Sequence, residues 1–223
     1  TIWFKLMNSA IILAGGIGKR FNNKIPKQFL KINDEKLMIE YSIDKFSDNN
    51  NINEIILVVH KDWFDLINKK YKNYKIVVGG DNRFLSSYIG LQKCSKNSEH
   101  VFIHDAARPL ISHNLINDGL ALIKDNDAAI PILDINESLL YRDSSNFHYL
   151  DREKIKIIQT PQIFKFNIIK EAYKNTVFNE KFTDDLSVLI DYNNKIKTIF
   201  YKGCINNIKV TYNNDFEKLN TVK

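Results

Sequence analysis

Residues 9–30 read SAIILAGGIGKRFNNKIPKQFL. The stretch opens on an apolar run, turns through Gly15, Gly16 and Gly18, and closes on a proline followed by Lys27. A short apolar run that stops at glycine reads as a buried strand ending in a tight turn. Glycine also lets backbone N–H groups converge on an anion, because it takes unusual dihedrals and lets a ligand approach the chain. The loop is not a Walker A motif, which needs Gly-x-x-x-x-Gly ahead of its lysine. Nor is it Gly-x-Gly-x-x-Gly, because Gly16-Ile17-Gly18 is followed by Lys19-Arg20-Phe21. A plain strand-to-helix turn would explain the glycines alone. Arg20 and Lys27, flanking the loop, tip the reading toward a polyphosphate site.

Outward from this stretch, strand and helix patterns alternate. Apolar runs at 54–59, 75–78, 100–105 and 128–133 read as strands, and 36–46, 62–71, 83–94 and 113–126 carry helical apolar spacing. Asp62 stands where it could cap the second of these helices. Pro131 suggests that the strand at 128–133 is an edge or ends there. The rhythm predicts an α/β fold, Rossmann-like, with a mostly parallel sheet and helices on both faces. Ligands in such sheets bind beyond the carboxyl ends of the strands, where 15–27, 79–83 and 104–109 fall. At 137–158 the rhythm breaks. ESLLYR and HYLDREKIKII flank DSSN, which reads as a hairpin, a protruding β-arm suited to contact a second subunit. Helices at 166–175, 184–193 and 215–222 and a strand at 195–201 complete the pattern. Residues 1–223 therefore read as one domain, with the β-arm an insertion at about 137–158.

Composition narrows the partners. The 223 residues are 44% hydrophobic, enough for one domain with a real core. Net charge is +6, carried mostly by lysine; the arginines are Arg20, Arg83, Arg108, Arg142 and Arg152. A chain that uses lysine for generic charge makes each arginine a candidate for bidentate anion contact. No basic stripe is interleaved with aromatics, so nucleic acid is not an expected partner. No apolar run is long enough to span a membrane. Two distant cysteines, Cys94 and Cys204, without metal spacing fit a reducing, cytoplasmic setting. Asp105 ends the strand in FIHDAARP. A carboxylate there suits Mg²⁺ beside phosphates, with a helix cap or a partner for Arg108 as the alternative. His104 is expected to make a structural hydrogen bond.

Six segments, LAGGIGKRF…PKQFL, GGDNR…S, HDAARP, DREKIKIIQTPQ, FTDD and NNIKVT, occur in an order and spacing that resemble the cytidylyltransferases acting on sugar-alcohol phosphates. The resemblance runs over residues 8–222 and is strongest to the branch that acts on 2-C-methyl-D-erythritol 4-phosphate. It implies a Mg²⁺-dependent homodimer of isoprenoid biosynthesis that takes CTP and a sugar-alcohol phosphate and releases pyrophosphate. It implies transition-state stabilisation by Arg20 and Lys27. Ala14, Gly15, Gly16, Gly80, Arg83, Ser86 and Asp105 should contact CTP, with the metal on Asp105. Arg152 and Lys209 should position the acceptor phosphate, with further acceptor contacts from Ser138, Thr160 and Asn206. The resemblance also implies exchange of the arm between subunits, so that Ser138 and Arg152 serve the neighbouring site. A phosphate monoester is already largely dianionic near neutral pH, which agrees with the lack of an obvious general base.

Two positions depart from that branch. Gly15 stands where those enzymes commonly carry Ala, and Asn206 where they usually carry Asp. The related branch acting on ribitol 5-phosphate often has the glycine. On these residues the acceptor stays open between the two. A non-catalytic nucleotide-binding relative is disfavoured by the presence of Arg20, Lys27, Asp105, Arg152 and Lys209 together.

Overall fold

A computed structural model describes residues 6–16, 21, 25–34 and 36–219. β1 (Met7–Ala14) is the apolar run ahead of the glycines. A single 3-10 turn at Lys27–Phe29 and two short strands, β2 (Lys31–Ile32) and β3 (Lys36–Leu37), lead into α1 (Met38–Ser47). β4 (Glu54–Val59), α2 (Phe64–Lys70), β5 (Lys75–Val78), α3 (Arg83–Lys93), β6 (Ser98–Asp105), α4 (His113–Ile123) and β7 (Ala128–Asp134) carry the alternation. The hairpin β8 (Leu139–Asp143) and β9 (Asn146–Leu150) interrupts it. Then come β10 (Lys156–Ile158), β11 (Gln162–Lys165), α5 (Phe166–Asn175), α6 (Asp185–Tyr192), β12 (Thr198–Lys202) and α7 (Asn213–Leu219).

Among the described residues, eight strands form one sheet in the order β10-β7-β11-β6-β1-β4-β5, with β12 on the other side of β7. β10 and β11 run against the rest, so the sheet is mostly parallel, as the sequence predicts. Alternation along each strand decides which helices it supports. Ala10, Ile12 and Ala14 of β1 pack in one core with α1, α2 and α4, through Ile39, Phe46, Ile67 and Leu115. Ile11 of the same strand joins the opposite core with α3, α5 and α6, through Leu91, Ile169 and Leu189. A strand apolar on both faces can only be central.

The chain leaves β1 for β4 and β5 on one side, then returns past it to β6 on the other. The loops diverge at that reversal and open a crevice beyond the carboxyl ends of β1 and β6. Ala14 and Asp105 end those two strands.

Three expectations need correction. Asp62 does not cap α2, because it lies inside a 3-10 turn at Lys61–Trp63; the His60 side chain caps that turn by accepting the Asp62 N–H. Pro131 is not on an edge, since β7 is paired on both sides. Its carbonyl accepts the Gln159 N–H. A strand residue's N–H and C=O point the same way, so its missing donor faces the junction where β7 changes partner from β11 to β10, and no ladder bond is lost. The arm is shorter than 137–158: β8 and β9 pair only with each other, while β10 returns to the main sheet against β7.

Candidate active site

The loops after β1, β4, β5 and β6 enclose a cavity of about 550 Å³. All seven residues expected to touch CTP, from Ala14 to Asp105, line it, and so do Lys27 and Lys209. Its glycines answer to space. A Cβ on Gly80 would lie 2.4 Å from the Leu85 Cβ in the first turn of α3. Gly15 differs: a Cβ there would meet Ser86 Oγ at 3.4 Å and the Gly79 Cα at 3.7 Å, ordinary contacts. The fold therefore accommodates alanine at position 15. Ser86 fastens the second glycine loop, accepting the Gly80 N–H at 3.2 Å and donating to the Asn82 carbonyl at 2.9 Å. Asn82 in turn caps α3 by accepting the Leu85 N–H.

The PKQFL segment folds into the 3-10 turn and delivers two side chains to the cavity. Lys27 donates to the Val210 carbonyl. Gln28, almost fully buried, donates from its amide nitrogen to the carbonyls of Ala14 and Gly16, each at 2.7 Å.

Asp105 is the electrostatic centre. Its carboxylate accepts from Arg83 Nε at 3.1 Å and from Lys209 Nζ at 2.7 Å. Arg83 reaches past it to Asp185, 2.6 Å away, and Asp185 also accepts the Tyr173 hydroxyl at 2.6 Å. Burial would push the Asp105 carboxyl upward, but Arg83 and Lys209 outweigh it and hold it well below the ordinary carboxylate range. Burial likewise opposes the Arg83 charge, and Asp185 and Asp105 overcome it, so Arg83 stays fully cationic. Behind this network His104 is sealed from solvent, bonded to the Thr160 hydroxyl at 3.0 Å and the Arg108 carbonyl at 3.1 Å. Burial pushes its imidazole down to about 4. It is the neutral structural residue that the sequence suggests.

A second cavity of about 280 Å³ adjoins the first and shares Arg83, Asp105 and Lys209 with it. Arg108, Lys156, Thr160 and Asp184 are among the other residues of its wall. Arg108 donates to the Asn207 and Ile158 carbonyls rather than to Asp105, so Asp105 is not its partner. Thr160 is buried, its hydroxyl accepting the Asp105 N–H at 3.1 Å. Ser138, Arg152 and Asn206 are exposed and line neither cavity. Arg152 donates to the Asn136 carbonyl at the root of the arm. Arg20 lies outside the described residues.

Asp105 is the sole carboxylate both cavities share, and no cluster of three His, Cys, Asp or Glu side chains gathers among the described residues. That suits Mg²⁺, which keeps its waters and takes most of its oxygens from phosphates, and not a closed structural site. Among the described residues each Asp105 side-chain oxygen carries one ion-pair donor, and a carboxylate oxygen has lone pairs for a further ligand. The residues present fit the ion.

Gln28, Asp185 and Tyr173 were not legible as site residues. Gln28 could have been found as the polar neighbour of Lys27 in PKQFL. Asp185 could have been found in FTDD, where Asp184 takes the helix cap and leaves a second acid needing a cation.

A glycine-lined cavity at the switch point of such a sheet, opening onto a cation-lined second one, defines a protein that brings two phosphate compounds together. The chain belongs to the 2-C-methyl-D-erythritol 4-phosphate cytidylyltransferase (IspD) family, whose sequence model matches residues 8–222. It is 37% identical over 223 residues to the enzyme so named from Lachnospira eligens, covering 95% of this chain and 96% of that one. It is 39% identical to the bifunctional enzyme IspD/IspF of Pelagibacter ubique, covering 97% of this chain and 58% of the longer protein. The solved 2-C-methyl-D-erythritol 4-phosphate cytidylyltransferase of Francisella tularensis matches with a TM-score of 0.80 at 31% identity, over 96% of this chain and 99% of that one. The bifunctional IspDF of Campylobacter jejuni matches with a TM-score of 0.83 at 32% identity, over 95% of this chain and 54% of that one.

Proposed function

We propose that the larger cavity binds CTP, the smaller one binds 2-C-methyl-D-erythritol 4-phosphate, and reaction between them gives CDP-methylerythritol and pyrophosphate. The observation that carries this reading is the Arg83–Asp105–Lys209 cluster, common to both cavities. An acceptor phosphate oxygen attacks the α-phosphorus of CTP. The bond to the bridging oxygen breaks, and the electron pair leaves with pyrophosphate. Two anions must meet, so the main task is to hold them together and neutralise their charge. Lys27 and Arg20 stabilise charge on the α-phosphate and the leaving group. Lys209 and, from the arm of a second copy, Arg152 orient the acceptor phosphate. Asp105 would hold Mg²⁺, which supplies charge neutralisation on the triphosphate when bound.

A homodimer is part of the proposal. The arm exposes Tyr141, Phe147 and Tyr149, the last at 83%, on a hairpin that, among the described residues, pairs with no other strand. An apolar surface of this kind marks a contact site, and a second copy of the chain would cover it. The test is pyrophosphate release with CTP and Mg²⁺, offering methylerythritol phosphate and ribitol 5-phosphate in parallel. A clear preference for the first is expected. A preference for the second would overturn the acceptor assignment.

A further inference from the structure

We propose that Gln28 is the positioning residue of the nucleotide site: it sets the glycine loop by holding the Ala14 and Gly16 carbonyls, and it yokes that loop to Lys27. The inference rests on reading the larger cavity as the CTP site. Gln28 is 4% exposed, and its single amide nitrogen spends both hydrogens on carbonyls at either side of Gly15, each at 2.7 Å. A trans peptide points its N–H opposite its carbonyl. Holding the Ala14 carbonyl therefore fixes the direction of the Gly15 N–H, which belongs to the cavity wall.

The anchor is itself rigid. Gln28 sits in a turn closed by the Phe29 N–H on the Pro26 carbonyl and the Leu30 N–H on the Lys27 carbonyl. Phe29 stacks on Trp63 with centroids 4.4 Å apart. Lys27 rides on the same turn. Movement of the loop relative to Lys27 therefore requires both Gln28 bonds to break.

No close relative of the glutamine side chain does the same work. Asparagine is one methylene too short. Methionine fills the volume without a donor. Glutamate has the shape but turns lone pairs toward two carbonyl oxygens, except when protonated, when it donates once.

CTP affinity of the unsubstituted protein, measured first by calorimetry, tests the reading of the cavity by itself. Gln28→Met is then compared with it. Loss of two neutral hydrogen bonds is expected to weaken CTP binding and raise the KM for CTP by roughly tenfold to a hundredfold, with the acceptor KM within about twofold. A purely structural residue would lower Tm and leave the two KM values in their original ratio, and that result overturns the proposal. If Gln28→Met does not fold, Gln28→Glu decides. Its KM for CTP, divided by that of the unsubstituted enzyme at each pH, is expected to fall as the pH drops from 8 toward 5.5 and the carboxyl protonates. A flat ratio contradicts the positioning role.

Discussion

The nucleotide half of the site and the β-arm are built in opposite ways. Around the larger cavity, Gln28, Ser86, Asp105 and Asp185 are buried and bonded, with Gln28 holding the Ala14 and Gly16 carbonyls and Ser86 holding the Gly80 N–H. On the arm, Ser138 and Arg152 are exposed, and Phe147 and Tyr149 stand in solvent at 59% and 83%. The first region is built from residues of one chain. The second leaves large apolar and aromatic side chains exposed on a hairpin whose strands, among the described residues, pair only with each other. Under the proposed function this difference has a consequence: one subunit holds the nucleotide, and the arm of a second copy helps to hold the acceptor.

The comparison sharpens most at Lys27. Lys27→Ala is expected to lower kcat by about two orders of magnitude or more, since it removes a charge interaction strongest in the transition state. Steady-state kinetics check this, and a rise in the KM for CTP with unchanged kcat would assign Lys27 to binding alone.

The floor of the pinned region should also betray itself to acid. His104 titrates near 6.5 when unfolded and near 4 when buried. The unfolded chain therefore binds the proton first as pH falls, and His104 costs up to about 3 kcal/mol of stability between pH 6.5 and 4. Asp105, held low by Arg83 and Lys209, adds a further loss as pH falls through the ordinary carboxylate range and below it. Tm measured from pH 7.5 to 4.5 should fall more steeply in the unsubstituted protein than in His104→Asn, whatever the variant's Tm at neutral pH. Equal slopes would remove His104 from the account.

Two glycines in the same wall should part company. Gly80→Ala drives a methyl into Leu85 and should destabilise by about 1–3 kcal/mol. Gly15→Ala meets only ordinary contacts and should be neutral or stabilising by roughly 0.4–1 kcal/mol. Denaturant melts of both variants check the pair, and a large loss at Gly15 would show that its wall is tighter than its geometry.

The same contrast governs what could be read from the sequence. β1, β4 and α5 were legible nearly to the residue, because local apolar periodicity and tertiary burial agree there. The seven residues expected to touch CTP came from the family resemblance, and the fold brings all seven to the wall of one cavity. Gln28 was not legible, because its function lies in two backbone carbonyls more than ten positions away, which no local pattern encodes. Pro131 misled for a similar reason: its lost donor is harmless only because β7 changes partner beside it. Asn206 is an exposed turn residue, and its neighbour Asn207 is buried and donates to the Thr160 carbonyl.

The most direct test of the division between a self-sufficient nucleotide half and a shared acceptor half is complementation. Lys27→Ala and Arg152→Ala subunits, each nearly inactive alone, are mixed under conditions where subunit exchange is verified. The account predicts recovered activity, because a mixed pair contains one site with an intact Lys27 and a neighbouring arm with an intact Arg152. No recovery in a proven mixed dimer would contradict it and return the whole site to a single chain.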